Sequence, residues 1–217
     1  MMTVFTLVFS RMGQMESEGM PYPLFAYAAL LPWTFFSTGV SNATGSLVNH
    51  TALITKVYFP REILPITYVV AGLFDFVIGL AALAALMLWY QVPITLAVLY
   101  LVPVVALLAA WILAVALLTS AAQVRWRDVG VAMPVLVQIL MFVSPVIYPL
   151  GLVPGGWRSF YLMNPMAGII DAFRDVLLRA QFPDPVPLAY SVAVTACALP
   201  IAYMVFKRAE ATMADIV

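Results

Sequence analysis

Few residues in this chain are of types that do chemistry, and their spacing limits what that chemistry could be. Among 217 residues there is one histidine, His50, and one cysteine, Cys197. A lone cysteine excludes an internal disulfide or a cysteine metal site, and a lone histidine builds neither a metal cluster nor a Ser/His/Asp triad. No Gly-x-x-x-x-Gly-Lys-Ser/Thr run occurs, so the chain carries no phosphate loop for ATP hydrolysis. Catalysis by this chain is therefore not expected. Uphill movement of anything would draw on an ion gradient or on an ATPase in another chain. The remaining ionisable candidate is Asp75, in the middle of the apolar run Leu64–Tyr90. An ionised carboxylate in lipid is costly unless it is paired, hydrogen-bonded or beside water, so Asp75 must face protein or a cavity. Two uses fit it: a proton or sodium site, or hydrogen bonds to hydroxyls of a neighbouring helix that fix packing.

Hydroxyls form the second pattern. Thr34, Ser37, Ser41 and Thr44 recur every three or four residues and share one helical face that should avoid lipid. Close helix packing uses such residues, and so does a polar translocation path, for which Trp33, Thr34, Phe36, Ser37 and Ser41 are the candidates. The aromatic residues Tyr22, Tyr27, Trp33, Phe35 and Phe36 suit an interfacial belt, and sugar rings also stack on aromatic faces. Pro32 should kink this helix near its outer end.

These residues must be carried by helices in a membrane. The chain is 65% hydrophobic and 9% charged, with a mean hydropathy of +1.03. That is too little charge to cover a soluble core, and ten basic and ten acidic residues leave no patch for nucleic acid. About 20 mainly apolar residues are needed to cross the hydrocarbon as a helix. Five stretches qualify: Leu24–Val48, Leu64–Tyr90, Thr95–Ala121, Val131–Leu150 and Leu188–Phe206. Met1–Phe9 is apolar but too short, and it reads as the end of a span whose beginning is missing. Basic residues at span ends set the orientation. Lys56, Arg61, Arg125, Arg127, Lys207 and Arg208 gather on one side, while Arg11, Arg158, Arg174 and Arg179 on the other are accompanied by Glu16, Glu18, Asp171, Asp175 and Asp184. This places loops 49–62 and 122–130 and the C-terminus in the cytoplasm, with 10–23, 91–94 and 151–187 outside.

Two connecting segments have patterns of their own. Residues 49–60 read as a short cytoplasmic helix capped by Asn49, stopped by Pro60 and apolar along Leu53, Ile54 and Val57. It suits either a place at the headgroups with Lys56 snorkelling, or a knob offered to a cytoplasmic partner. Outside, the prolines of Ser144-Pro-Val-Ile-Tyr-Pro149 should end a span, and Val153-Pro-Gly-Gly-Trp-Arg158 reads as a turn. Asn164-Pro165 then opens a helix to about Arg179 as N-cap and first helical residue. Its apolar face (Met166, Ile169, Ile170, Phe173, Val176, Leu177) lies largely opposite Asp171, Arg174, Asp175 and Arg179, with Asp175 and Arg179 spaced as an i,i+4 pair. Such a helix is expected to lie along or dip into the outer leaflet.

Three blocks resemble the permeases of type 2 ABC exporters, which move lipid-linked polysaccharides such as O-antigen, capsule and teichoic acid. Tyr22-Pro-Leu-Phe-Ala-Tyr-Ala-Ala-Leu-Leu-Pro-Trp-Thr-Phe-Phe-Ser37 is similar to the family's entry to its second span. Leu53-Ile-Thr-Lys-Val-Tyr-Phe-Pro-Arg-Glu-Ile-Leu-Pro65 resembles its first cytoplasmic loop. Ser144-Pro-Val-Ile-Tyr-Pro149 through Trp157-Arg158 to Asn164-Pro-Met166 and Phe173-Arg174 resembles its external end, and Arg127-Asp128 matches a pair in the second cytoplasmic loop.

The resemblance implies a single permease domain over 1–217, an all-α integral membrane protein of the bacterial inner membrane. Five complete transmembrane helices and the remnant of an N-terminal span would be joined by one cytoplasmic coupling helix, 49–62, and short external amphipathic gate helices within 151–187. Leu53, Lys56, Tyr58, Phe59, Pro60, Arg61, Glu62, Arg127 and Asp128 would then couple to the ATPase. Pro145, Trp157, Asn164, Pro165 and Arg174 would belong to the gate. The implied partners are an ABC ATPase subunit, which would bind the ATP and magnesium, a second permease copy forming a homodimer, and a lipid-linked glycan. No cofactor on this chain and no nucleic acid are expected. Family members carry an amphipathic helix and a first span before the equivalent of Arg11, so this chain is expected to be N-terminally truncated. Export of drugs or small lipids, and ion-coupled transport through Asp75, stay open as alternatives.

Overall fold

The computed structural model describes residues 21–146, 148, 151 and 155–216. The expectation for Met1–Phe9, and with it Arg11, lies outside the described residues. Tyr22–Thr44 forms α1, Ser46–Asn49 α2, Thr51–Lys56 α3 and Ile63–Trp89 α4. A 3-10 turn at Leu96–Tyr100 leads into α5 (Leu101–Arg125), followed by α6 (Asp128–Val143), α7 (Gly155–Leu162), α8 (Pro165–Leu177) and α9 (Pro185–Ile216).

Four of these segments are long and apolar enough to span: Tyr22–Thr44, Ile63–Trp89, Leu96–Arg125 and Pro185–Ala211. The fourth expected span, Val131–Leu150, is shorter than its sequence suggests. Its helix covers 16 residues, Asp128–Val143, about 24 Å at 1.5 Å per residue, and gives way to a turn at Ser144 and Pro145. α1 runs through Pro32 as one helix, and α9 likewise contains Pro200.

Lipid tails are as apolar as leucine, so helices in a membrane associate through close packing more than through expulsion of water. Small residues set the approaches. A Cβ on Gly39 would meet Ile112 Cγ2 at 2.9 Å, which seats α1 on α5, and one on Gly72 would meet the Phe35 ring at 3.1 Å, which seats α4 on α1. Hydroxyls turn back onto their own helices: Thr34 Oγ1 donates to Leu30 O at 2.7 Å and Thr44 Oγ1 to Val40 O at 2.7 Å. Thr44 Oγ1 is also 2.8 Å from Thr119 Oγ1, which joins α1 to α5.

The tightest approach is between α8 and α9. A Cβ on Gly168 would collide with the Pro187 carbonyl oxygen and with Ser191 Oγ, which bonds Pro165 O at 2.9 Å. Backbone cannot yield as a flexible side chain does, so Gly168→Ala is expected to cost about 1–3 kcal/mol. Thermal unfolding of the purified chain checks this, and a midpoint equal to the parent's would show that α8 and α9 can part freely.

Candidate functional site

Candidate functional side chains gather at the two ends of the bundle. At one end, α8 is sunk between α1, α5 and α9 instead of lying on a leaflet: every residue from Pro165 to Leu177 is buried. This corrects the expectation of a surface amphipathic helix, and the reason is chemical. Its polar face is satisfied by other parts of the protein rather than by water. Arg174, 1% exposed, donates from Nη1 to Pro145 O (2.8 Å) and Tyr148 O (3.2 Å) and from Nη2 to Val146 O (2.9 Å). Its guanidinium carbon lies 3.7 Å from the centre of the Phe25 ring on α1. One side chain thus holds the carbonyls freed where α6 ends and stacks on the start of α1.

Asp171 and Asp175 complete that face. Arg179 Nη1 pairs with both, and the i,i+4 pair with Asp175 is as the spacing predicts. Asp175 also accepts from Gln181 Nε2 (2.9 Å) and from the Asp184 backbone N–H (3.0 Å). Burial pushes the Asp171 carboxyl above the usual carboxylate range, against the opposing pull of Arg179. Ala180, at φ 54°, turns the chain out of the helix through the left-handed region.

The Asn164-Pro165 start forms as expected, with Met166 N–H donating to Asn164 Oδ1 at 3.1 Å. Asn164 Nδ2 reaches Ser144 Oγ at 2.9 Å, so the cap also ties α8 to the end of α6, where Pro145 is buried. Residues from Gly155 are helical in α7, so the expected turn does not extend to Arg158. Tyr161 of α7 shares a 2.8 Å hydrogen bond with Tyr148, and burial, helped by that bond, holds its phenol well above its usual range. Trp157 lies in α7, and its side chain is outside the described residues.

The opposite end carries charge. Asn49 closes the short α2 instead of capping a longer helix, and α3 stops at Lys56, four residues before Pro60. Only Ile54 of the expected apolar side is buried. Leu53 and Val57 are exposed, and Tyr58 projects fully at 103% relative exposure, with Phe59 half-buried. The chain then turns into α4 through Arg61 and Glu62, which are held by α9. Arg61 N–H donates to Glu210 Oε1 (3.1 Å), Arg61 Nη1 to Glu210 O (2.6 Å), and Lys207 Nζ to Glu62 Oε2 (2.7 Å) and Glu210 Oε2 (2.8 Å). Sequence reasoning counted Lys207 only for orientation and missed Glu210. The alternation of Lys207 and Glu210 one turn apart was the available signal. A cleft of about 680 Å³ separates residues 54–61 from this part of α9. Arg127 and Asp128 are exposed at the start of α6.

The hydroxyl stripe of α1 divides. Thr34 is exposed, Ser37 and Ser41 are half-buried, and Thr44 is buried at the α5 contact. Trp33 and Phe36, expected on the same path, instead pack inside the helix bundle at 5% and 2% exposure with their rings 5.3 Å apart. Their large apolar area serves the core, where Phe35, Phe76 and Phe173 also join α1, α4 and α8. Asp75 is exposed on α4, and among the described residues no hydroxyl is hydrogen-bonded to it.

Residues 1–178 match the family model described as ABC-2 type transporter. The O-antigen export system permease protein RfbA of Myxococcus xanthus is 31% identical over 99% of this chain and 82% of its own length. The protein of the same name from Klebsiella pneumoniae is 22% identical over 73% of this chain and 61% of its own, and the polysialic acid transport protein KpsM of Escherichia coli is 23% identical over 93% and 80%.

Proposed function

The chain belongs to the ABC-2 type transporter family, and from that premise we propose how its two ends divide the work of a polysaccharide exporter. It is a transport subunit, a multi-pass membrane permease, and ATP hydrolysis falls to a separate ABC ATPase. The observation that carries the division of labour is the contrast between the ends. One projects Tyr58, Lys56 and Val57 clear of the bundle beside a wide cleft, whereas the other is sealed by a wholly buried helix.

In this reading the charged end faces the cytoplasm and residues 49–62 dock on the ATPase, with Arg127 and Asp128 beside them. The sealed end faces outward, with α7 and α8 as its gate and Asn164, Pro165, Pro145 and Arg174 as the fixed points of that gate. The permease works as a homodimer. A lipid-linked glycan passes between the two copies along surfaces that include Thr34, Ser37 and Ser41. Sequence kinship with the O-antigen export permease and the polysialic acid transport protein supports the glycan, and the basic loops support the orientation.

Copurification tests the docking assignment. An ABC ATPase partner is expected to copurify with it, and replacing Lys56, Tyr58 and Phe59 together is expected to reduce the complex at least tenfold. A variant complex as abundant and as active as the parent would move the docking site elsewhere. In the same preparation Asp75→Asn is expected to keep ATP-dependent transport, since an ATP-driven permease does not require a proton or sodium site there. Transport that follows an ion gradient and is lost with Asp75→Asn would favour ion coupling instead.

A further inference from the structure

At the charged end, a second cavity opens between the last turns of α5 and α9, away from the Arg61–Glu210 contacts. It measures about 440 Å³, and its walls are apolar (Leu118, Val205 and Met213 among them) except for two guanidiniums, Arg125 and Arg208. Both arginines are exposed, and neither has an ion pair among the described residues. Trp126, 61% exposed, lines the same cavity, with the Arg125 guanidinium 5.6 Å from its ring centre.

The combination has a chemical direction. The apolar walls belong to two membrane-spanning segments, Leu96–Arg125 and Pro185–Ala211, and the arginines stand where those segments end. A tryptophan at the same level is the residue type that settles at headgroup depth. A molecule complementary to the cavity carries negative charge at the headgroup and hydrocarbon below it. Basic pockets between spanning helices hold anionic lipid headgroups on this principle. A soluble acidic protein surface would satisfy the arginines but leave the apolar walls unfilled, and a zwitterionic lipid would fill the walls but bring its own cation to two cations.

We propose that the α5–α9 cavity binds an anionic glycerophospholipid of the adjoining leaflet, its phosphate between Arg125 and Arg208 and an acyl chain against Leu118 and Val205. The lipid would fill the gap between two spans at the end where α9 holds Arg61 and Glu62. Neither arginine belongs to the docking or gate assignments, so the site stands apart from them.

Native mass spectrometry of the full chain with its ATPase, titrated with phosphatidylglycerol or phosphatidylcholine, tests this. The expected result is about tenfold tighter retention of phosphatidylglycerol, falling to about twofold in Arg125→Gln/Arg208→Gln. Because both side chains are exposed, the double variant is expected to fold and to assemble as the parent does. Equal retention of the two lipids, or an unchanged preference in the double variant, would overturn the proposal. Complete displacement of phosphatidylglycerol by submillimolar inorganic pyrophosphate would assign the arginines to a pyrophosphate headgroup instead. A preference seen only when the ATPase is absent would assign them to the ATPase surface.

Discussion

Arg174→Met is expected to destabilise the protein by about 3–5 kcal/mol and to reduce export by more than tenfold. Methionine keeps much of the volume but donates nothing, so the carbonyls of Pro145, Val146 and Tyr148 lose their shared donor inside the protein. Leaving a buried acceptor unsatisfied costs about 1–3 kcal/mol, and partial relaxation offsets some of the sum. Loss of the cation over Phe25 adds about 2 kcal/mol in a desolvated site. Arg174→Lys is expected to recover only part of this, because an ammonium cannot reach three carbonyls on two sides with a planar fork. Thermal unfolding and export assays on the two variants check the claim. A methionine variant within 1 kcal/mol of the parent and fully active would mean that the guanidinium does not hold the end of α6 to α8.

The second large effect is expected in coupling rather than in stability. Glu210 receives Arg61 and Lys207, and Lys207 also holds Glu62, so α9 grips the segment leading from the proposed docking helix into α4. The ion pairs are partly exposed, Lys207 at 35% side-chain exposure, and pairs of that kind contribute little to folding. Glu210→Ala should therefore fold and bind the ATPase. Its expected defect is a roughly tenfold fall in glycan exported per ATP hydrolysed, within the 5–150-fold range of typical coupling energies. Exchanging the charges, as Glu210→Lys with Lys207→Glu, is expected to restore part of the loss. A Glu210→Ala complex that exports with unchanged ATP yield would show that movement reaches the spans without this contact.

The spans were legible because length and hydropathy are properties of continuous sequence, and α1, α4 and α5 follow their apolar runs closely. The Asn164-Pro165 start was legible for a similar reason: a cap is local chemistry, decided within three residues. What sequence could not supply was the destination of α8. Its polar residues fall on one face, and a single helix with such a face points to a water boundary. Here that face meets carbonyls 26–29 positions away and a guanidinium beyond the end of its own helix. The same blindness to distant partners misplaced Trp33 and Phe36. Aromatics near a span end suit an interface or a sugar path equally well, and only the neighbouring helices show that these two are core. Asn49 failed as a cap because an additional short turn, α2, uses it first.

In the function proposed above, this permease moves a lipid-linked glycan when a separate ATPase acts on its charged end. The most direct measurement is glycan movement in proteoliposomes that hold the full chain and its ATPase. Movement is expected to require ATP, to continue when ion gradients are collapsed, and to fall to background when Tyr58, Lys56 and Phe59 are replaced. Movement that persists without ATP, or without the ATPase subunit, would contradict it.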